Sequence, residues 1–145
     1  MLMQREYPQQ PLVGVGAIII ANSRVALIKR GKQPLLGEWS IPGGMLELGE
    51  TLRAGAEREA REETGLTVKA TEMLGVFERL VPDEKGRTKY HYVLIDFLCE
   101  VVSGELCAGH DASEARWFTP EEAAALALPE DTAGVIRLAF RRAVP

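Results

Sequence analysis

From Leu12 to Ala21 the chain is apolar throughout, broken only by Gly14 and Gly16, the pattern of a buried strand with close neighbours. Asn22-Ser23 marks a turn, and Arg24 to Lys29 alternates well enough to return as the hairpin partner. Arg30 to Trp39 reads as a loop containing Pro34 and Gly37, followed by a short strand at Trp39 and Ile41 in which Trp39 is a core residue. The period then changes from two to about four. Leu52, Ala56 and Ala60 recur every fourth residue, the stripe of a helix small enough to lie close on a sheet. That helix is expected to begin near Glu50-Thr51, with acidic character in its first turn, and to stop at a left-handed Gly65.

Strand pattern resumes at Thr67 and runs to Val81, as one or two strands broken near Gly75, before a turn at Pro82 to Gly86. Lys89 to Val102 is the longest strand predicted. Alternation puts Tyr90, Tyr92, Leu94, Asp96 and Leu98 on one face and His91, Val93, Ile95, Phe97 and Cys99 on the other. Ser103-Gly104 is expected to close this strand into a further hairpin, and Ala115 to Phe118 forms a short strand. Thr119-Pro120-Glu121-Glu122 combines a capping box with proline at the first helical position. Pro129 should end that helix, and Asp131 should cap a last one whose apolar positions are Val135, Leu138 and Ala139. The sum is an α/β protein, a mixed sheet with a central and a C-terminal helix.

Composition adds bounds. The 145 residues suit one domain over 1–145, with a polar arm at 1–11 carrying two prolines and a Tyr7 able to pack on the body or on a partner subunit. With 46% hydrophobic and 26% charged residues the chain has an ordinary globular make-up. A net charge of −4 offers no basic stripe for a nucleic-acid partner, no apolar run reaches membrane-spanning length, and the N-terminus lacks a signal-peptide core. Cys99 and Cys107 have no metal-type spacing, so both are expected to be small buried residues in a reducing compartment, which places the chain in the cytoplasm.

The chemistry concentrates between Gly43 and Leu66. Glu59, Glu62 and Glu63 stand at i, i+3 and i+4 and share one helix face. Like charges at that spacing disfavour an isolated helix, and hard oxygen ligands on a rigid element suit Mg²⁺ or Mn²⁺ that also holds phosphates; a Glu-rich solvated face is the alternative. The surrounding spacing is Gly44, five residues, Glu50, seven residues, Arg58-Glu59-Ala60, one residue, Glu62-Glu63, one residue, Gly65-Leu66. This resembles the Nudix box of the Nudix hydrolases, and the Trp-x-x-Pro-Gly-Gly run from Trp39 to Gly44 resembles the family's approach to it. Glu50 and Arg58, two turns apart, are placed to brace one another.

The resemblance implies an α/β/α sandwich and a divalent-metal hydrolase of a nucleoside diphosphate derivative. It implies that Glu59, Glu62 and Glu63 hold Mg²⁺, or Mn²⁺, with a carbonyl of Gly43 or Gly44. Arg58 belongs to the same catalytic set, Glu47 is a further candidate ligand, and the general base is Glu59 or an acid beyond the box, Asp111 or Glu114. Pro82, sixteen residues after Leu66, the Tyr7-Pro8 arm and Tyr90-His91-Tyr92 together resemble the ADP-ribose pyrophosphatase subgroup. Substrate contacts are then expected from Arg30, Arg79, Tyr92 and Gly44, with a homodimer as a possible assembly. The competing readings are a nucleoside triphosphate pyrophosphatase and, from another class, a domain that binds a nucleotide to regulate a partner.

Overall fold

The structure is a computed structural model and describes residues 4–32 and 35–143. The expected loop residue Pro34 and the first three residues of the arm lie outside the described residues. In chain order the elements are β1 (Leu12–Ala21), β2 (Arg24–Arg30), β3 (Trp39–Ser40), β4 (Gly43–Met45), α1 (Leu52–Thr64), β5 (Thr67–Pro82), β6 (Thr88–Ser103), β7 (Ala112–Phe118), α2 (Pro120–Ala124) and α3 (Glu130–Arg142).

The strands form a mixed sheet ordered β3-β2-β1-β6-β5, with β4 added on β1 and β7 on β2. β1 and β2 are joined at Asn22 and Ser23, which have φ of 50° and 60°, the left-handed pair that a tight right-twisted hairpin demands. The two strands stay paired only at Ile20↔Val25 and Ala21↔Arg24. They then diverge. Beyond the fork β1 takes β4 as its antiparallel neighbour at Gly14, Val15 and Gly16 and runs parallel to β6 from Leu12↔Tyr92 to Ile19↔Cys99. A cleft opens at this fork.

Helices cover both faces, giving the α/β/α sandwich. On one side Val15, Ala17, Ile19, Ile95, Phe97 and Cys99 bury against Ala56 and Ala60 of α1. Alanines at the contact let the helix axis approach the sheet closely, as their every-fourth spacing predicts. On the other side Ile18, Leu27, Leu98 and Phe118 bury against Val135, Ile136 and Ala139 of α3. Trp39 is half-buried there, its ring edge-on to Phe118 at 4.9 Å between centroids. Among the described residues no helix is long and apolar enough to cross a membrane.

Several expectations need correction. The first helix is capped by Thr51, whose hydroxyl accepts from the Ala54 N–H at 3.1 Å, and its first turn holds no acid. Glu50 stays outside because its carboxylate is committed to Arg58. β5 is unbroken at Gly75; the predicted break is instead a pair of register shifts against β6, between Ala70 and Glu72 and between Met73 and Gly75. Ser103-Gly104 does not make a hairpin. Gly104 turns the chain at φ 96°, a loop then runs past the end of α1, and β7 pairs with β2 instead. That loop satisfies the helix's last carbonyls, with N–H groups of Cys107 and Gly109 donating to Thr64 and Glu63. Cys107 is therefore exposed, and only Cys99 is buried. Pro129, not Asp131, occupies the N-cap position of α3, and Asp131 turns to Arg79. The capping box at Thr119 and Glu122 forms as predicted.

The described part of the arm lies on the body. Tyr7 donates its hydroxyl to Asp83 at 2.9 Å and its N–H to the Lys89 carbonyl at 2.8 Å, while Tyr90 donates to Glu6 at 2.9 Å.

Candidate active site

The site is assembled where α1 passes the short strand β4. Arg58 is its hub. The guanidinium donates Nε to one Glu50 oxygen at 2.6 Å and Nη2 to the other at 3.0 Å, a two-pronged grip that also reaches the Met45 carbonyl at 3.0 Å. Nη1 donates to Glu59 at 2.8 Å and to Glu62 at 3.2 Å, and a Glu47 oxygen lies 3.6 Å from Nε. Arg58 holds the Glu50 carboxyl below its ordinary range, and the Arg58 charge is itself made harder to lose, by Glu50 first and then Glu59. The expected Glu50–Arg58 brace is present, and it fastens the loop before α1 to the helix.

Glu63 and Glu59 face β4. Gly43 donates its N–H to Glu63 at 2.9 Å. The Glu59 carboxylate sits so close over Gly44 that a side chain there would meet it at 2.5 Å, so the glycine is what lets strand and acid approach. Burial pushes the Glu63 carboxyl up to about 8; Glu59 adds to the rise, against the Gly43 N–H and the charge of Arg30. Two acids held together at this depth are a costly arrangement unless a cation joins them.

The donor set therefore fits a hard divalent ion in its chemistry: carboxylates clustered by one helix turn, with Glu63 half-buried beside Glu59. Among the described residues, however, no group of three or more potential ligands stands at metal-binding spacing. The reason is visible in the contacts, since Arg58 draws oxygens of Glu59 and Glu62 toward itself. Turning those side chains is what loading an ion requires.

The cleft beside this cluster has a volume of about 300 Å³. Of the residues expected at the site, Glu63, Gly43, Gly44, Arg30, Arg79 and Tyr92 line it. Arg58, Glu59 and Glu62 do not line it; the Glu59 carboxylate lies against Gly44, behind the cleft wall. The two acids from beyond the box are elsewhere. Asp111 is exposed and paired with Lys32 at 2.8 Å, and Glu114 projects from β7 with its carboxylate 3.9 Å from Lys29; neither lines the cleft. His91 is half-buried on β6 and also lies outside the lining.

Sequence reasoning missed Asp96, Asp131 and Arg5, all of which line the cleft. Asp96 had a signal, a single acid in the middle of the longest apolar strand. Asp131 and Arg5 had none, because only the docking of α3 and of the arm brings them there.

Comparison with known proteins gives a consistent result. The NUDIX domain family matches residues 10–139. An ADP-ribose pyrophosphatase of Methanocaldococcus jannaschii is 42% identical over 108 residues, covering 74% of this chain and 62% of the relative's own length. A MutT-like protein of Streptomyces ambofaciens is 32% identical over 129 residues, covering 84% of this chain and 77% of the relative. Among solved structures, a NUDIX hydrolase from Nitrosomonas europaea superposes with a TM-score of 0.74 at 28% identity, covering 92% of this chain and 73% of that one.

Proposed function

The chain belongs to the Nudix family, and from that premise we propose that it is a Mg²⁺-dependent hydrolase splitting the pyrophosphate bond of a nucleoside diphosphate derivative, with ADP-ribose as its substrate. The observation that carries this reading is Glu63 held at Gly43 on the end of a cleft of nucleotide size, with Glu59 against Gly44 behind it and Glu62 tied to the same Arg58 as Glu59. The name of the Methanocaldococcus relative supports ADP-ribose in particular.

Glu59, Glu62 and Glu63 would hold the ion, with a carbonyl of Gly43 or Gly44. When bound, it supplies neutralisation of the diphosphate charge and a water made acidic enough to attack. Arg58 fixes the orientation of Glu59 and Glu62 through its grip on Glu50. Arg30 presents a positive charge to the phosphates from the cleft wall, and Glu59 is the base nearest to hand for the proton of the attacking water. A homodimer belongs to the same reading: β5 is an edge strand that leaves Met73, Val76 and Leu80 exposed.

The test is a substrate panel with Mg²⁺ or Mn²⁺, comparing ADP-ribose, other nucleoside diphosphate sugars and nucleoside triphosphates. AMP and ribose 5-phosphate should appear from ADP-ribose at least tenfold faster than monophosphate and pyrophosphate appear from any triphosphate, about 1.4 kcal/mol of discrimination. Equal or faster turnover of triphosphates would assign the chain to the competing pyrophosphatase reading.

A further inference from the structure

Opposite the glutamates the cleft floor holds a carboxylate with no assigned task. Asp96 lies in the middle of β6, only 8% exposed, and lines the cleft. Among the described residues no donor hydrogen-bonds its carboxylate, which opens onto the cleft and is free to accept from a ligand there. Desolvation pushes the group up to about 6, with Asp131 adding to the rise and Arg79 opposing it.

The backbone around Asp96 is cleared for it. Its parallel neighbour on β1 is Gly16, and its antiparallel neighbour on β5 is Gly75. A side chain on Gly16 would collide with Asp96 Oδ1, and one on Gly75 would meet the Phe77 ring at 2.9 Å. Both flanks are thus reserved, one for the acid and the other for an aromatic ring beside it. Next to Asp96 this floor is apolar and aromatic, with Leu94 and Tyr92 on β6 beside Phe77 on β5, and it ends at Arg79, which pairs with Asp131.

Strand spacing sets the scale. Gly43 pairs with Gly16 and Gly16 with Asp96, so the acid lies two strands, about 10 Å, from the candidate metal end, and β5 lies a strand further. With a diphosphate at Gly43 and Glu63, the β6–β5 floor receives what is attached through the first ribose. An aromatic floor whose central acceptor has no cation paired to it, Asp131 being taken by Arg79, suits a flat ligand carrying a donor on its edge. Arg79, held at 2.7 Å by Asp131 on the same wall, disfavours a cationic ligand there.

We propose that Asp96 reads the base of the nucleotide by accepting a hydrogen bond from an exocyclic amino group, with the base lying over Phe77, Leu94 and Tyr92. This rests on the reading of the cleft as a nucleotide pyrophosphatase site, and it adds a specificity residue and a class of base: amino-substituted.

The test is calorimetric titration, in Mg²⁺, of AMP and of purine riboside 5′-monophosphate, which differ only in the amino group. The wild-type chain should bind AMP about tenfold or more tightly, as expected for a hydrogen bond to a charged acceptor. Asp96→Ala should bring AMP down to the level of its amino-free analogue, and Asp96→Leu, which fills the space instead of emptying it, should do the same. Equal affinities in the wild-type chain, or variants that weaken both nucleotides alike, would overturn the proposal. Pyrophosphate hydrolysis without an amino preference would overturn this inference alone. Failure to bind or hydrolyse any nucleotide would overturn the proposed function with it.

Discussion

At the scale of single residues, the molecule carries two acids in positions that cost it stability. Asp96 is buried and Glu63 half-buried, and both are pushed toward the protonated form. For Asp96 the sign is definite. A carboxyl whose folded value, about 6, lies above its ordinary 3.8 is bound more tightly by protons in the native state. Stability from this group is therefore fully present below 3.8 and is lost as pH rises through 6. Asp96→Asn removes the titration and keeps the shape. The variant should match the wild-type chain near pH 3.5 and exceed it by roughly 3 kcal/mol at pH 7.5, judged from the size of the shift. Urea unfolding at the two pH values measures the difference, and Glu63, present in both proteins, cancels. A variant no more stable at pH 7.5 would show that the Asp96 carboxylate is solvated and not desolvated. A group that weakens the fold at working pH and has no hydrogen-bond donor among the described residues is better explained by a ligand than by packing.

At the scale of elements, the end of α1 decides how its glutamates are presented. Gly65 has φ of 75°, and a side chain there would meet Cys107 Sγ at 2.8 Å and the Glu105 carbonyl at 3.2 Å. Gly86 has a similar φ, 81°, with nothing within 4 Å. Gly86→Ala should therefore cost only the left-handed strain, about 1 kcal/mol, and Gly65→Ala about 2 kcal/mol or more because the loop must also move. Thermal unfolding of the two variants separates strain from crowding; equal losses would mean that the loop gives way freely. The same comparison shows what was legible in the sequence. The turn at Asn22-Ser23, the capping box at Thr119, the stop at Gly65 and the Glu50–Arg58 brace each depend on residues within about two helical turns of one another, and each formed. Partner choice was not legible. Ser103-Gly104 has the chemistry of a hairpin, yet β7 crosses to β2, since only the assembled sheet reveals which edge is open. Asp131 has the chemistry of a cap, yet Arg79, 52 residues away, claims it. The acid cluster could be read because one helix carries it whole, whereas the rest of the cleft lining is gathered from strands that meet only in the fold.

At the scale of the whole molecule, the cleft exists because β1 leaves β2 after two pairs, and its walls come from α1, the β2–β4 segment, the floor strands and the start of α3. The walls are tied across the sheet: Arg79 of β5 holds Asp131 at one end of α3 at 2.7 Å, and Glu72 of β5 meets Arg142 at the other at 3.3 Å. The α3 wall cannot separate without disturbing the core that Ile18, Leu98 and Val135 make beneath it. A ligand seated there is accordingly linked to global unfolding and not to the opening of a single loop. The candidate ion should act through the same linkage, more strongly because it relieves the repulsion between Glu59 and Glu63. Mn²⁺ or Mg²⁺ at one hundred times its dissociation constant should add about 2.7 kcal/mol of stability. For a chain of this length that is a rise in Tm of roughly 5–10 °C over the protein in EDTA. Glu62→Gln, which removes one charged ligand and leaves the core untouched, should shift the midpoint of the ion titration to at least tenfold higher concentration. An unchanged Tm at saturating ion, or an unchanged midpoint in the variant, would mean that these carboxylates serve only the Arg58 network.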